Sequence, residues 1–182
     1  MKINKVSALF LLLFSVSSCQ YVKYQIQAKK MIDSQIVIPT GLSPTSNRPD
    51  YEVSQCFDDT IYKMVVYFSK KECTICKIQD MLQWREIVSF FQRQNNADIF
   101  FVFDVSKLAP DMAALALKRT TFDFPVWFDT RGDFQKLNPQ IPPDTRLHVF
   151  LMDGSNKIIL TGNPLFDGDL WKLYQSKMNT GI

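Results

Sequence analysis

The chain has 182 residues, with 21 lysines and arginines against 18 aspartates and glutamates, and a formal net charge of +3. Hydrophobic residues make up 46% of it and include 15 phenylalanines, which is typical of a packed globular domain and excludes a disordered chain. No block of like charge stands out, so the composition gives no support for a nucleic acid as a partner.

The first 18 residues have the parts of a secretory signal peptide. Lys2 and Lys5 form a short basic start, an apolar run extends from Val6 to Val16, and small residues precede Cys19. The apolar run is shorter than the about 20 residues that a permanent membrane-spanning helix needs. We therefore expect residues 1–18 to be removed.

The end of this segment, Val16-Ser17-Ser18-Cys19, resembles the bacterial lipobox, in which the cysteine sulfur takes a diacylglycerol. We expect Cys19 to begin the mature chain and to anchor it in the lipid bilayer of the bacterial cell envelope. Gln20 is not the aspartate of an inner-membrane retention signal, which favours an anchor facing the periplasm. The alternative is an ordinary secreted protein in which Cys19 joins a disulfide. Removing 18 of the 182 residues leaves 164, enough for one domain.

Residues 19–34 are interpreted as a lipid-anchored tether with a short helix, and residues 35–182 as one domain. A strand is predicted at Gln35–Pro39, and Thr40–Asp50 is predicted as a loop because it collects Pro, Gly, Ser and Asn. Apolar runs then predict strands, and apolar residues at helical spacing predict helices. The predicted elements are strand Ile61–Ser69, helix Thr74–Arg93, strand Ile99–Val105, helix Pro110–Lys118, strand Pro125–Phe128, a hairpin of Leu147–Met152 and Lys157–Thr161, and helix Phe166–Met178. This order predicts a three-layer α/β domain with a central mixed sheet.

The candidate chemistry lies at Cys73-Thr74-Ile75-Cys76, directly after a predicted buried strand and in the first turn of the next helix. Free N–H groups and the helix dipole stabilise a thiolate there. Cys73 is then the expected nucleophile and Cys76 the resolving thiol. Lys70 and Lys71 favour the thiolate, whereas Glu72 opposes it. The alternative is a structural disulfide or a pair of inert thiols.

The segment Val65–Lys77 resembles the active-site segment of membrane-anchored, extracytoplasmic thioredoxin-like proteins, which have an apolar strand, an aromatic residue (Phe68 here), C-x-x-C and a basic residue. Phe124–Asp129 resembles their extra strand, and Leu147–Gly154 with Lys157–Ile159 resembles their closing hairpin. The resemblance covers the chain from about Ile61 to the end. It implies a thioredoxin-like domain with an N-terminal extension and a core at about 61–182. It also implies exchange with protein thiols and disulfides, an electron donor that the sequence does not identify, and no bound cofactor.

The chain departs from that family pattern at three positions. Glu72 stands where active members usually have Trp, and Tyr67 where thioredoxins have a buried aspartate that accepts a proton. The family also has a cis-proline directly before the hairpin strand, and that register holds Arg146-Leu147 here, with Pro142 and Pro143 further upstream.

Two further residues could join the site. Once Cys19 carries lipid, Cys56 is the one cysteine outside the C-x-x-C pair. Three roles are open for it: a buried apolar residue, a third redox partner, or a zinc ligand with Cys73, Cys76 and His148. His148, the only histidine, either transfers protons or is simply hydrogen-bonded in the core.

The leading functional hypothesis is a cell-envelope thiol–disulfide oxidoreductase that acts through Cys73 and Cys76. The first alternative is a non-catalytic lipoprotein of the same fold that binds a partner and uses the cysteine pair as a staple. The second is a metal-handling lipoprotein.

Overall fold

A computed structural model describes residues 20–47 and 61–179 of the chain. The predicted signal peptide, Cys19 and Cys56 lie outside the described residues.

A six-stranded mixed sheet forms the centre of the domain. Its strands are β1 (Ser43–Thr45), β2 (Tyr62–Phe68), β3 (Ala97–Asp104), β4 (Val126–Asp129), β5 (Val149–Met152) and β6 (Ile158–Thr161). They lie in the order β1-β4-β3-β2-β5-β6. β2, β3 and β4 pair in parallel, whereas β1, β5 and β6 join their neighbours in antiparallel fashion. β2 and β3 are largely apolar because both of their faces are buried.

Helices cover both faces of the sheet. They are α1 (residues 20–31), α2 (Thr74–Gln79), α3 (Arg85–Phe91), α4 (Pro110–Lys118), α5 (Asp133–Leu137) and α6 (Gly168–Asn179). α2, α3, α4 and α6 pack on one face, against alternate strand residues such as Val66 and Phe101. α1 and α5 pack on the other face, against Val65 and Phe100. The predicted three-layer α/β fold is therefore confirmed. None of these helices, within the described residues, is long and apolar enough to cross a membrane.

The first strand differs from the prediction. Residues 36–39 have no regular structure, and Gln35 makes only an isolated bridge to Lys157. The strand lies instead at Ser43–Thr45, in the segment predicted as a loop, where it pairs with β4. An edge strand tolerates Pro44 because one side of its backbone needs no ladder hydrogen bond.

The segment after the cysteines is also less regular than predicted. In place of one helix over Thr74–Arg93 there are α2, a 3-10 turn at Asp80–Trp84, and α3. The loop before β5 contains a second 3-10 turn, Thr145–Leu147, so the strand begins at Val149 and not at Leu147. This places Leu147 and His148 in the connection that faces the end of β2.

Candidate redox site

The cysteine pair lies at the start of α2, and Cys73 is the fifth residue after the end of β2. Cys73 is the N-cap residue of the helix, with extended backbone angles (φ −72°, ψ 94°), and its sulfur accepts a hydrogen bond from the N–H of Cys76 at 3.3 Å. The two cysteines form a disulfide with their Cα atoms 5.3 Å apart. Both residues are exposed, so an incoming sulfur can reach the bond from solvent.

Glu72 holds the turn that presents Cys73. Its Oε2 accepts hydrogen bonds from the N–H of Ser69 at 3.0 Å and from the Ser69 hydroxyl at 3.3 Å. The N–H of Glu72 donates back to the carbonyl of Ser69 at 2.9 Å. These reciprocal bonds close the short segment between β2 and α2, and therefore fix the position from which Cys73 begins the helix.

The Glu72 carboxylate also lies between two basic groups. Its Oε1 is 3.5 Å from Nζ of Lys77, and its Oε2 is 3.7 Å from Nδ1 of His148. Burial raises the pKa of Glu72, since the side chain is only 14% exposed, but the contact with His148, the N–H of Ser69 and the charge of Lys77 outweigh it. The net pKa of Glu72 is lowered, so Glu72 carries a negative charge beside Cys73 at neutral pH.

His148 is buried, with 3% of its surface exposed. Its Nε2 lies 2.9 Å from the carbonyl oxygen of Pro142. Because a carbonyl can only accept, Nε2 must carry a hydrogen. Nδ1 then faces the Glu72 carboxylate at a distance too long for a normal hydrogen bond. A proton on Nδ1 makes this contact an ion pair, whereas without it a lone pair faces the carboxylate.

Tyr67 and Asp104 lie beneath the turn, at the ends of β2 and β3. Burial, reinforced by the carboxylates of Asp104 and Asp129, raises the pKa of Tyr67 far above its ordinary value. The Tyr67 hydroxyl therefore keeps its proton and cannot accept one at neutral pH. Its oxygen and Oδ2 of Asp104 are buried, and neither makes a hydrogen bond of normal geometry with the described residues.

Two cavities adjoin these groups. One of about 230 Å³ is lined by Tyr67, Asp104 and His148, together with Lys70 and Lys71. A second of about 200 Å³ is lined by Cys73 and Glu72, and it shares Lys70 and Asp104 with the first. Both cavities are open to solvent and share Lys70 and Asp104, so the buried polar groups lie close to the surface that carries Cys73.

Most of the candidate residues come together. Cys73, Glu72 and Lys70 line one cavity, and Lys71 and His148 line the neighbouring one. Sequence reasoning did not single out Asp104, although an acidic residue at the carboxyl end of an apolar parallel strand is a recognisable signal. Leu147 is fully buried among apolar side chains of the second sheet face. Every peptide bond of the described residues is trans, including the one before Leu147.

The metal hypothesis receives no support from the described residues. No group of three or more His, Cys, Asp or Glu side chains within residues 20–47 and 61–179 could hold a metal ion. Cys73 and Cys76 are bonded to each other, and Nε2 of His148 is bound to a carbonyl. The proposed fourth ligand, Cys56, lies outside the described residues.

A mixed sheet flanked by helices, with a C-x-x-C disulfide between a central strand and the next helix, defines a thioredoxin-like fold. Solved structures show the same architecture. The C-terminal domain of a protein assigned as a thiol-disulfide oxidoreductase from Bacteroides thetaiotaomicron is 16% identical, with a TM-score of 0.52, over 84% of this chain and 99% of that one. A thioredoxin-like superfamily protein is 14% identical, with a TM-score of 0.54, over 81% and 96%.

Other solved structures resemble this chain less closely. The thioredoxin domain of a thiol-disulfide oxidoreductase from Bacteroides vulgatus is 14% identical over 68% of this chain and 82% of that one, with a TM-score of 0.47. No protein-family model and no curated protein sequence matches the chain. At these identities the comparisons establish the thioredoxin-like fold, and the activity has to be argued from the site.

Proposed function

We propose that the protein is a thiol–disulfide oxidoreductase of the bacterial cell envelope, with Cys73 as the nucleophile and Cys76 as the resolving thiol. The observation that carries the proposal is the exposed Cys73–Cys76 disulfide at the N-terminus of α2 in a thioredoxin-like fold. Solved structures with this fold include proteins assigned to the same activity.

The exchange follows from the position of the two sulfurs. In the reduced protein the Cys73 thiolate attacks a substrate disulfide, forming a Cys73–substrate bond and releasing the other substrate sulfur as a thiolate, which takes up a proton. Cys76, one turn further along the helix, then loses its proton and attacks Cys73. This step re-forms the Cys73–Cys76 bond and releases the second substrate thiol. Two electrons pass to the substrate, and another thiol protein returns them.

The N–H of Cys76 favours this reaction, because it donates to the Cys73 sulfur in the observed structure. The same donor can stabilise the Cys73 thiolate, since hydrogen bonds to a charged form lower its pKa. The Glu72 carboxylate acts in the opposite direction. The Lys77 ammonium, 3.5 Å from the carboxylate, limits that effect and leaves the turn compatible with a reactive thiol.

The place of action is proposed from the N-terminal sequence. Residues 1–18 would serve as a signal peptide, and an acylated Cys19 would hold residues 19–34 at a bilayer and the domain of residues 35–182 in the periplasm. Mass spectrometry of the protein purified from bacterial membranes tests this part directly. We expect the N-terminal peptide to begin at Cys19 and to carry a diacylglycerol; an unmodified Cys19 or an uncleaved signal would contradict the anchor.

A non-catalytic, partner-binding lipoprotein remains the second candidate. The observation that favours it is the loop before β5, where Leu147 packs into the core and His148 occupies the position beside the turn. In the thioredoxin-like proteins that the chain resembles, a proline shapes substrate docking at this point. In that case the disulfide would have only a structural role, holding the start of α2 in place.

A redox titration separates the two candidates. The protein is equilibrated in glutathione or dithiothreitol buffers of graded potential, and the free thiols are alkylated and counted by mass spectrometry. We expect Cys73 and Cys76 to titrate together as a two-electron couple above about −300 mV, the range of exchangeable disulfides. A pair that stays oxidised far below that potential would instead favour the structural staple.

A further inference from the structure

The helix α1 has one face fixed against the domain. Tyr24, Ala28 and Met31 lie three and four positions apart, as residues on one side of a helix do, and pack against the apolar cluster of the second sheet face. The Arg146 guanidinium lies over the Tyr24 ring, 4.8 Å from its centre. These contacts set the rotation of α1, and therefore determine which side chains point outward.

The outward face of α1 combines apolar and basic side chains. Tyr21, Val22 and Ile26 are 64%, 54% and 51% exposed, although they are large and apolar. Lys23, Lys29 and Lys30 are exposed around them, and residues 20–31 include no aspartate or glutamate. An exposed apolar group flanked on its own helix by lysines alone is typical of a helix that lies on an anionic membrane surface.

We propose that the outward face of α1 docks onto the anionic surface of a phospholipid bilayer. The proposal rests on the acylated Cys19 of the proposed function, which directly precedes residue 20 and would hold the first turn of α1 at the headgroups. Lysines near such a surface each strengthen binding about fivefold. A second copy of the chain is a less suitable partner for this face. A stable protein interface buries about 800 Å² per partner, which is more than the three exposed apolar side chains of α1 supply.

Docking would also orient the redox site. Gln20 and Lys23 of α1 share a cavity of about 470 Å³ with Pro143, Asp144 and Arg146, which belong to the loop before β5. Pro143 also lines the cavity of Tyr67 and His148. The start of α1 therefore lies at the end of the domain that holds the disulfide. A domain held by this face would present Cys73 to proteins close to the membrane surface.

The first experiment uses the mature chain with Cys19→Ser, so that no lipid is attached, in flotation with phosphatidylglycerol-containing and pure phosphatidylcholine vesicles. We expect binding to the anionic vesicles alone. Replacing Lys23, Lys29 and Lys30 by Gln should weaken binding on the order of 100-fold, at about fivefold per lysine, and Val22→Ser with Ile26→Ser should weaken it further. The matched control is Met112→Ser with Leu115→Ser, which removes two exposed apolar side chains of α4, on the opposite face of the sheet.

The second experiment uses the acylated protein reconstituted in vesicles, where weak docking is not limited by dilution. Brominated phospholipids quench tryptophan at the bilayer surface, so Ile26→Trp should add a quenched signal and Met112→Trp, on the opposite face of the domain, an unquenched one. Equal quenching at both positions would overturn the proposal. So would equal vesicle binding by the α1 and control variants, or a dimer in solution that the α1 substitutions abolish. An unmodified Cys19 would contradict the anchor alone, because the flotation result does not depend on acylation.

Discussion

The turn after β2 and the loop before β5 lie side by side, yet they follow the thioredoxin-like pattern to different degrees. The turn keeps the C-x-x-C disulfide at the start of a helix. The loop instead carries Arg146 and Leu147 in the register where the resembled proteins have a proline. The two regions are joined directly, because the N–H of Tyr67 donates to the carbonyl of His148 at 2.9 Å.

The two departures of the turn contact His148, the residue that follows Leu147 in the loop. Glu72 of the turn faces Nδ1 of His148 at 3.7 Å, and the ring of Tyr67 lies 5.1 Å from the His148 ring. A buried carboxylate is costly unless it is paired. Glu72 has such partners on both sides, Lys77 of α2 and His148 of the loop. The comparison teaches that Glu72 and Tyr67, two departures of the turn, both contact the residue next to Leu147, where the loop departs from the family pattern.

The largest expected effect comes from the turn. Cys73→Ser should remove thiol exchange completely, because the remaining thiol cannot form the mixed disulfide at the helix start. Cys76→Ser should instead accumulate Cys73–substrate mixed disulfides, which non-reducing electrophoresis detects. Cys56→Ser is the control and should exchange normally. Equal residual activity in Cys73→Ser and the parent would contradict the assignment of Cys73 as nucleophile.

The next largest effect tests whether the loop can be returned to the family pattern. Leu147→Pro removes the hydrogen bond from the N–H of Leu147 to the carbonyl of Asp144, 3.0 Å long, and a fully buried side chain. We expect a loss of about 2–4 kcal/mol in the free energy of unfolding, measured by urea denaturation. Leu147→Met is the matched control, since it keeps the volume and the N–H. Unchanged stability in Leu147→Pro would mean that the loop accepts the family conformation.

A smaller effect is expected from substitutions at the contact between the two regions, which Glu72 and His148 form. Glu72→Gln removes a negative charge beside Cys73 and should raise its thiolate fraction about threefold to tenfold, the effect of one nearby charge. His148→Gln keeps a donor for the Pro142 carbonyl but cannot place a positive charge opposite Glu72, so it should lower the thiolate fraction wherever Nδ1 of the histidine carries a proton. The measurement is the alkylation rate of the reduced protein against pH.

The double variant decides how His148 acts. If His148 works through Glu72, His148→Gln should have little effect once position 72 is Gln. An equal effect in both backgrounds would show that the histidine influences Cys73 by another route, such as the shape of the loop.

Much of this arrangement was predictable from local sequence. Continuous apolar runs located β2 and β3, and the strand-turn-helix context located Cys73 and Cys76, because both depend on neighbours along the chain. The edge strand β1 was not predictable, since its pairing with β4 depends on a partner some 80 residues away. The same holds for the contact of Glu72 with His148, which the sequence separates by 76 positions. Each residue was noticed alone, but only the fold brings them together.

The smallest expected effect is the contribution of Glu72 to stability at different pH values. The pKa of Glu72 is lowered in the folded protein, chiefly by the contact with His148, the Ser69 N–H and Lys77 acting against burial. The unfolded chain therefore binds more protons near its own pKa of about 4.3. Glu72 stabilises the fold above that pH, and the contribution disappears as the pH falls through the lower folded value.

We expect Glu72→Gln to lower the free energy of unfolding by about 0.5–1 kcal/mol at pH 6, the upper range for ion pairs near a surface. The difference in stability from the parent protein should shrink below pH 4. Urea denaturation across this pH range measures it. Asp169→Asn is the control, because the Asp169–Lys172 pair is fully exposed and supports no buried group. A cost that stays constant from pH 6 to pH 3 would show that Glu72 acts through its hydrogen bonds to Ser69 and not through its charge. The turn and the loop would then be adjacent regions without electrostatic coupling.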